Sequence, residues 1–310
     1  MVKVVVISGQ LYSDIDVLAC AIAYSELLSK KGKESYAVLP GPLNKSVTNS
    51  VKSWGLNFQK VPPDGEKKFV IVDMSNPEYI AEFVDENKVI EVFDHHEGFA
   101  DYWRGKIGKK SRIEMIGACA TLIWEEYKKA GLDKDISKVS ANLLYTAIAS
   151  NTLNFNADIT NVRDRHAFIE LEKYIDLPDN WVEKYFKDQD KLVFNNPKEV
   201  ISNDLRRGDI YIAQVEMWES SGFIKSHKSE IRKVMDGFGN PNWFVTAPSI
   251  SEGKNSLFTR NLNIRQILEK AIGAKFEGDI GTTKKLWLRK EIMREIENFK
   301  KRNNLNLLIT

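Results

Sequence analysis

A chain of 310 residues with 43% hydrophobic and 28% charged content is long enough for two domains with separate cores. Its formal net charge of +2 excludes a global electrostatic pull toward nucleic acid or an anionic membrane. The two cysteines, Cys20 and Cys119, lie in apolar helical surroundings, which argues against a disulfide framework and fits a reducing cytoplasm.

Strand-like and helix-like segments alternate through the first half. Val2 to Ile7 is a nearly continuous β-branched run, expected of a strand buried on both faces; it is too short to span a bilayer and runs into a polar Ser-Gly-Gln turn. Asp16 to Leu28 carries Leu18, Ala19, Ile22, Ala23 and Leu27 near helical spacing, which predicts an amphipathic helix. A short strand over Tyr36 to Leu39 and a helix over Lys45 to Trp54 are expected next. Phe69 to Asp73 reads as a strand, Pro77 as the opening of a helix through Phe83, and Val89 to Phe93 as another strand. Such alternation predicts βαβ units and a doubly wound parallel sheet.

Leu177-Pro178-Asp179-Asn180 breaks the helical pattern, and the charged stretch to about Asn203 reads as a connection. Beyond it, Ile210 to Val215, Trp243 to Thr246 and Ser256 to Arg260 are expected strands. Ile224 to Met235 is an expected helix, with Gly222 just ahead of it as a flexible entry point. The predicted organisation is α/β, with a first domain over residues 1–180, a linker over 181–203 and a smaller α/β domain over 204–310.

Chemistry concentrates at the strand ends. Two of the chain's four histidines sit in Asp94-His95-His96, directly after the Val89–Phe93 run. A carboxylate beside two imidazoles suits a hard or borderline cation. Asp14 and Asp16 follow the first strand and Asp73 closes a later one. Right-handed βαβ units bring these strand ends to one edge of the sheet, where open α/β sheets bind ligands. Asp14 or Asp16 alone could be a helix N-cap. Together with Asp73 and Asp94-His95-His96 they form a carboxylate cluster that repels itself unless cations neutralise it.

Ser8-Gly9-Gln10-Leu11-Tyr12-Ser13-Asp14-Ile15-Asp16, Ile71-Val72-Asp73 and Phe93-Asp94-His95-His96 resemble the first three motifs of the DHH phosphoesterase superfamily. Gly117-Ala118-Cys119-Ala120-Thr121 is similar to the glycine-led helix start of the branch containing family II (manganese-dependent) inorganic pyrophosphatases and exopolyphosphatases. Ser150-Asn151-Thr152-Leu153-Asn154-Phe155 resembles the fourth motif, with Thr160 and Asp164 at the later spacing. Near the C-terminus, Arg289-Lys290 resembles that branch's phosphate-gripping pair, and Arg206 falls where the branch carries another phosphate-contacting cation. No Gly-Gly-Gly-His element accompanies His166 or His227, which argues against the nucleic-acid-degrading branch.

The resemblance implies a two-metal site for Mn2+ or Mg2+, with Asp14, Asp16, Asp73 and His95 as ligands and Asp73 as the bridge. It places Gln10 and Asn151 at two further ligand positions, where an amide brings no charge. Asp94 would orient a neighbouring ligand, and His96 would face phosphate beside Arg206, Arg289 and Lys290. The implied activity is metal-dependent hydrolysis of a phosphoanhydride, pyrophosphate or short polyphosphate, with Asp73, Asp94 and His96 catalytic and the second domain closing over the interdomain cleft. The alternatives are a phosphate-ligand binder without catalysis, and a phosphoesterase acting on a small phosphorylated metabolite or nucleotide. The expected partner is a small phosphorylated substrate, with neither membrane nor nucleic acid, and the oligomeric state stays open, a homodimer among the options.

Overall fold

The β-branched and apolar runs of the first half form five parallel strands, β1 (Lys3–Ile7), β2 (Ser35–Val38), β3 (Lys67–Val72), β4 (Val89–Asp94) and β5 (Ser111–Ile113). The computed structural model describes residues 2–96 and 98–303. Residues 304–310, assigned above to the second domain, lie outside the described residues, as do Met1 and Glu97. The strand order is β2-β1-β3-β4-β5. Val5, Ile7, Phe69, Ile71 and Val92 join one buried cluster with Ile80, Ala81 and Trp103. Val4, Val6, Val70 and Val72, at the alternate positions, are equally buried. A period of two with both sets buried means that both faces of the sheet are covered, as the near-continuous hydrophobic runs predict.

Six helices accompany this sheet: α1 (Ile15–Lys30), α2 (Asn49–Lys52), α3 (Ala100–Ile107), α4 (Cys119–Lys129), α5 (Lys138–Asn151) and α6 (Val162–Leu171). Helix α1 packs on β1, β3, α4 and α5. Two expected helices are shorter than the sequence suggests. The Lys45–Trp54 segment is helical only over Asn49–Lys52, because Asn44 accepts from Ser46 and Thr48 caps the turn by accepting from Val51 N. Pro77 opens only a 3-10 turn, Pro77–Tyr79. The backbone N–H of Gln10, beside the Gly9–Ile80 bridge, takes the Tyr79 carbonyl that a continuing helix would need.

The chain divides into two compact units at Tyr185 and Phe186. The stretch read as a connection is helical, forming α7 (Trp181–Asn195) and α8 (Pro197–Asp204). The second unit holds a mixed sheet ordered β6-β7-β8-β10-β9, from β6 (Tyr211–Gln214), β7 (Trp243–Ser249), β8 (Lys254–Phe258), β9 (Lys275–Glu277) and β10 (Ile280–Thr282). Among the described residues of this sheet, only the β6–β7 pair is parallel.

Its helices are α9 (Ser221–Asp236), α10 (Leu262–Ile272) and α11 (Arg289–Arg302). Gly222, expected ahead of the helix, lies inside its first turn. Ala213, Trp243, Val245 and Phe258 pack with α9 residues, whereas Ile212, Phe244 and Leu257 pack with those of α10 and α11. Strand periodicity thus splits this unit into two cores, one on each face. No helix among the described residues is long and apolar enough to cross a membrane.

Candidate metal centre

The sheet order turns around β1: β2 lies on one side of it and β3 on the other. A crevice opens beyond the carboxyl ends of strands at such a switch point. Asp14 follows β1, Asp73 follows β3 and Asp94 ends β4, so the sequence's acidic positions reach that one edge. Asp14 is the N-cap of α1, and its Oδ1 accepts from Asp16 N and Val17 N at 3.0 Å each. Asp73 adopts a left-handed backbone, φ 53°, uncommon for a residue with a Cβ. Its N–H donates to Phe93 O at 2.8 Å, which fixes the strained turn against β4.

His95 Nδ1 lies 3.0 Å from the Ile116 carbonyl, which can only accept, so Nδ1 carries a hydrogen. In the neutral ring Nε2 then presents a lone pair, and it faces Asp73 Oδ1 at 3.2 Å. That carboxylate oxygen is buried and has no well-aligned hydrogen-bond donor. Two acceptors face each other across a buried gap, which demands a positive charge between them, either a proton or a metal ion. Burial, then the charges of Asp16 and Asp14, push Asp73 up to about 8 against the relief from His95. Burial alone would lower His95, but its contacts with Asp73 and the charge of Asp16 raise it to about 10. Asp73, His95 and His96 can each offer one ligand atom, all within 4.8 Å of one another.

Asp94 organises the tripeptide. Its buried Oδ1 accepts from His95 N at 2.7 Å, His96 N at 3.2 Å and His96 Nδ1 at 2.8 Å. Burial raises the Asp94 carboxyl, but the His96 hydrogen bond and charge outweigh it and hold the group below the usual carboxylate range. The His96 side chain is 61% exposed, so Asp94 holds its near nitrogen while the ring stays open to a ligand.

Asp16 is fully buried, and its oxygens are already engaged. Oδ2 accepts from Cys119 N at 2.8 Å and from Asn151 Nδ2 at 2.7 Å; Oδ1 accepts from Ala120 N at 2.8 Å and Cys20 Sγ at 3.4 Å. Cys119 and Ala120 open α4, whose first N–H groups have no intrahelical acceptor. The loop leading into α4 is held by a second buried carboxylate. Asp164 accepts from Gly117 N at 2.9 Å, Asn161 N at 2.7 Å and Thr121 Oγ1 at 2.6 Å. Gly117 has to be glycine: a Cβ there would lie 2.6 Å from both Asp164 Oδ2 and Thr152 Cγ2.

A curated Clostridium acetobutylicum protein named "Probable manganese-dependent inorganic pyrophosphatase" is 26% identical over 265 residues, spanning 82% of this chain and 84% of that protein. A Methanococcus jannaschii crystal structure, assigned provisionally to the family II inorganic pyrophosphatases, superposes with a TM-score of 0.64 at 22% identity, covering 95% of this chain and 98% of that one. A Bacteroides fragilis exopolyphosphatase-related structure superposes at 0.53 with 13% identity, covering 98% and 94%. No family model matches the chain. The order of motifs, the sheet and these relatives agree. In sequence the chain is similar to family II manganese-dependent inorganic pyrophosphatases, and it shares the fold of the two superposed structures.

The other positions that the DHH motifs single out are distributed as follows. Gln10 is exposed and anchored through its backbone, whose N–H donates to Tyr79 O at 3.1 Å. Asn151 ends α5, and its amide points a hydrogen at Asp16. In the second unit, Arg206, Arg289 and Lys290 line one cavity of about 880 Å³ together with Arg207, Lys300 and Lys301. Arg289 forms an ion pair with Asp204, and its N–H donates to Gln214 Oε1. Sequence reasoning missed the α4 amides on Asp16, since a backbone donor leaves no residue signature. It also missed Arg207, Lys300 and Lys301, which a search for cations near the Arg289-Lys290 pair on α11 would have found in part.

The raised groups give a signed pH dependence for the metal-free protein. A carboxyl raised on folding costs stability above its ordinary range, and a raised histidine loses its stabilising contribution as pH rises toward its folded value. For Asp73 that window runs from about 4 to about 8, and for His95 from about 6.5 to about 10. The metal-free thermal midpoint is therefore expected to fall between pH 6.5 and 8, while Mn2+ affinity rises about tenfold or more per pH unit as bound protons are displaced. Thermal melts and Mn2+ titrations across that range check it; a Mn2+ affinity flat with pH would contradict the proton-bridged pair.

Proposed function

We propose that this protein is a divalent-metal-dependent phosphohydrolase that cleaves the phosphoanhydride bond of pyrophosphate or a short polyphosphate. The observation that carries the reading is the buried Asp73 Oδ1 facing His95 Nε2, two acceptors that a cation would satisfy together. Asp73 and His95 supply the donors, and this imidazole-carboxylate mixture suits Mn2+ or Mg2+. A cation held there would lower the pKa of a water and polarise a phosphoryl oxygen. The relatives' names point to the same chemistry.

The chain's own groups supply the rest. The Ile116 carbonyl fixes the His95 tautomer and aims Nε2 at Asp73. Asp94 holds His96 by Nδ1, so its other nitrogen can meet a phosphate oxygen as charge builds on the leaving group. Arg206, Arg289 and Lys290 are read as the phosphate-neutralising cations, a bidentate fork or a compact charge for each oxygen group. Asp204 would steer the Arg289 guanidinium until phosphate competes for it.

A second reading, a phosphate-ligand binder without catalysis, is favoured by one observation, the neutral Asn151 at a ligand position of the fourth motif. Phosphate release measured with Mn2+ or Mg2+ on pyrophosphate, tripolyphosphate, nucleotides and small phosphate monoesters separates the readings. Release from pyrophosphate or tripolyphosphate, abolished by a chelator, is expected. Tight substrate binding without release from any of them would establish the binder instead.

A further inference from the structure

We propose that Asn151 takes the place of a cation at Asp16, so that the resting protein holds one divalent ion per chain, at Asp73 and His95, instead of two. The inference rests on the reading of Asp73 and His95 as a cation site and adds what distinguishes this chain within it. A carboxylate has about four lone-pair directions. Four donors surround Asp16: two α4 amides, the Cys20 thiol and the Asn151 amide. None remains for a metal ion. Asp73 is the opposite case, with a buried oxygen that no donor satisfies.

Residue 151 decides between these states because of what it offers at 2.7 Å from Asp16 Oδ2. An amide turned the other way would set two acceptor oxygens together, so the network requires Nδ2 to face Asp16. Aspartate at this position would have no hydrogen to give. Two carboxylate oxygens at that separation, one of them on the fully buried Asp16, repel strongly unless a cation sits between them. Asparagine therefore satisfies Asp16 permanently, whereas aspartate would make a second ion a condition of a stable site. The gain from that extra charge, even at a protein-like effective dielectric, corresponds to about a hundredfold or more in affinity for the second ion.

Counting bound Mn2+ tests this directly. The full chain is stripped with a chelator and titrated with Mn2+ in the absence of phosphate, with free Mn2+ read by electron paramagnetic resonance. One tight ion per chain is expected for the native protein, lost in Asp73→Asn and retained in Asn151→Ala. Asn151→Asp is expected to hold two, the second tightened about a hundredfold or more. If Asn151→Asp folds only with metal, Mn2+-driven folding followed by circular dichroism gives the same answer, as uptake of two ions per folded chain. Two tight ions in the native protein, with affinities within tenfold, overturn this inference and leave the metal-centre reading standing. A folded Asn151→Asp that still binds one also overturns it. No tight ion in the native protein overturns both.

Discussion

Asp73→Asn is expected to slow phosphate release from pyrophosphate at least about a thousandfold, roughly 4 kcal/mol of transition-state stabilisation. The substitution keeps the side-chain volume and removes the charge that pairs with His95 Nε2 at 3.2 Å. A neutral amide brings no charge to a cation held against His95. The fold itself should not suffer. Asp73 is buried beside Asp14 and Asp16, and these surroundings push its carboxyl up to about 8, so its ionised form is a burden to the metal-free protein at neutral pH. The variant is therefore expected to melt at or above the native temperature without metal, at pH 8, and to show no Mn2+-dependent rise. Phosphate-release rates and melts with and without Mn2+ check both halves. Activity within tenfold of native would remove Asp73 from the site.

Asp164→Ala is the second large effect, and its direction is toward unfolding. Asp164 is fully buried and gathers Gly117 N, Asn161 N and Thr121 Oγ1 within 2.9 Å. Removing it strands two backbone donors and a hydroxyl away from water, at about 4 kcal/mol in all. The damage reaches the metal centre through the chain. Ile116, whose carbonyl fixes the His95 ring, precedes Gly117, and Cys119 and Ala120 follow it with their amides on Asp16. Mn2+ affinity should therefore fall along with stability, about tenfold or more, as for loss of other groups that orient ligands. Urea titration and Mn2+ binding measure the two effects. A loss of less than about 1 kcal/mol would mean that other contacts hold this loop.

Much of the fold is legible because its signals are local. Val2 to Ile7, Phe69 to Asp73 and Val89 to Phe93 are apolar runs bounded by turns, and each becomes a strand within one or two residues of the expected span. Helix α1 follows the spacing of Leu18, Ile22 and Leu27 and gains its cap from Asp14. The expectations that fail are those in which a distant backbone competes. Pro77 starts a turn, but Gln10 takes the carbonyl that would extend it. The charged stretch after Asn180 resembles a connection, yet Trp181 reaches Thr146 Oγ1 at 2.8 Å and Tyr185 reaches Ser46 O at 2.8 Å, which anchors α7 as a helix. Polar composition gave no hint of that burial.

The sequence by itself determined the parallel sheet, the placing of Asp14, Asp73 and Asp94-His95-His96 at strand ends, and the resemblance to the DHH phosphoesterases. Periodicity and strand-end position are properties of neighbouring residues, so they can be read along the chain. Only the tertiary structure decided which carboxylates are free to meet a cation. Asp16 and Asp73 look alike in sequence, yet one meets α4 amides from more than 100 residues away and the other meets a histidine lone pair. That difference arises from groups brought together only by folding, and in a buried site the available hydrogen, more than the residue type, decides where positive charge is required.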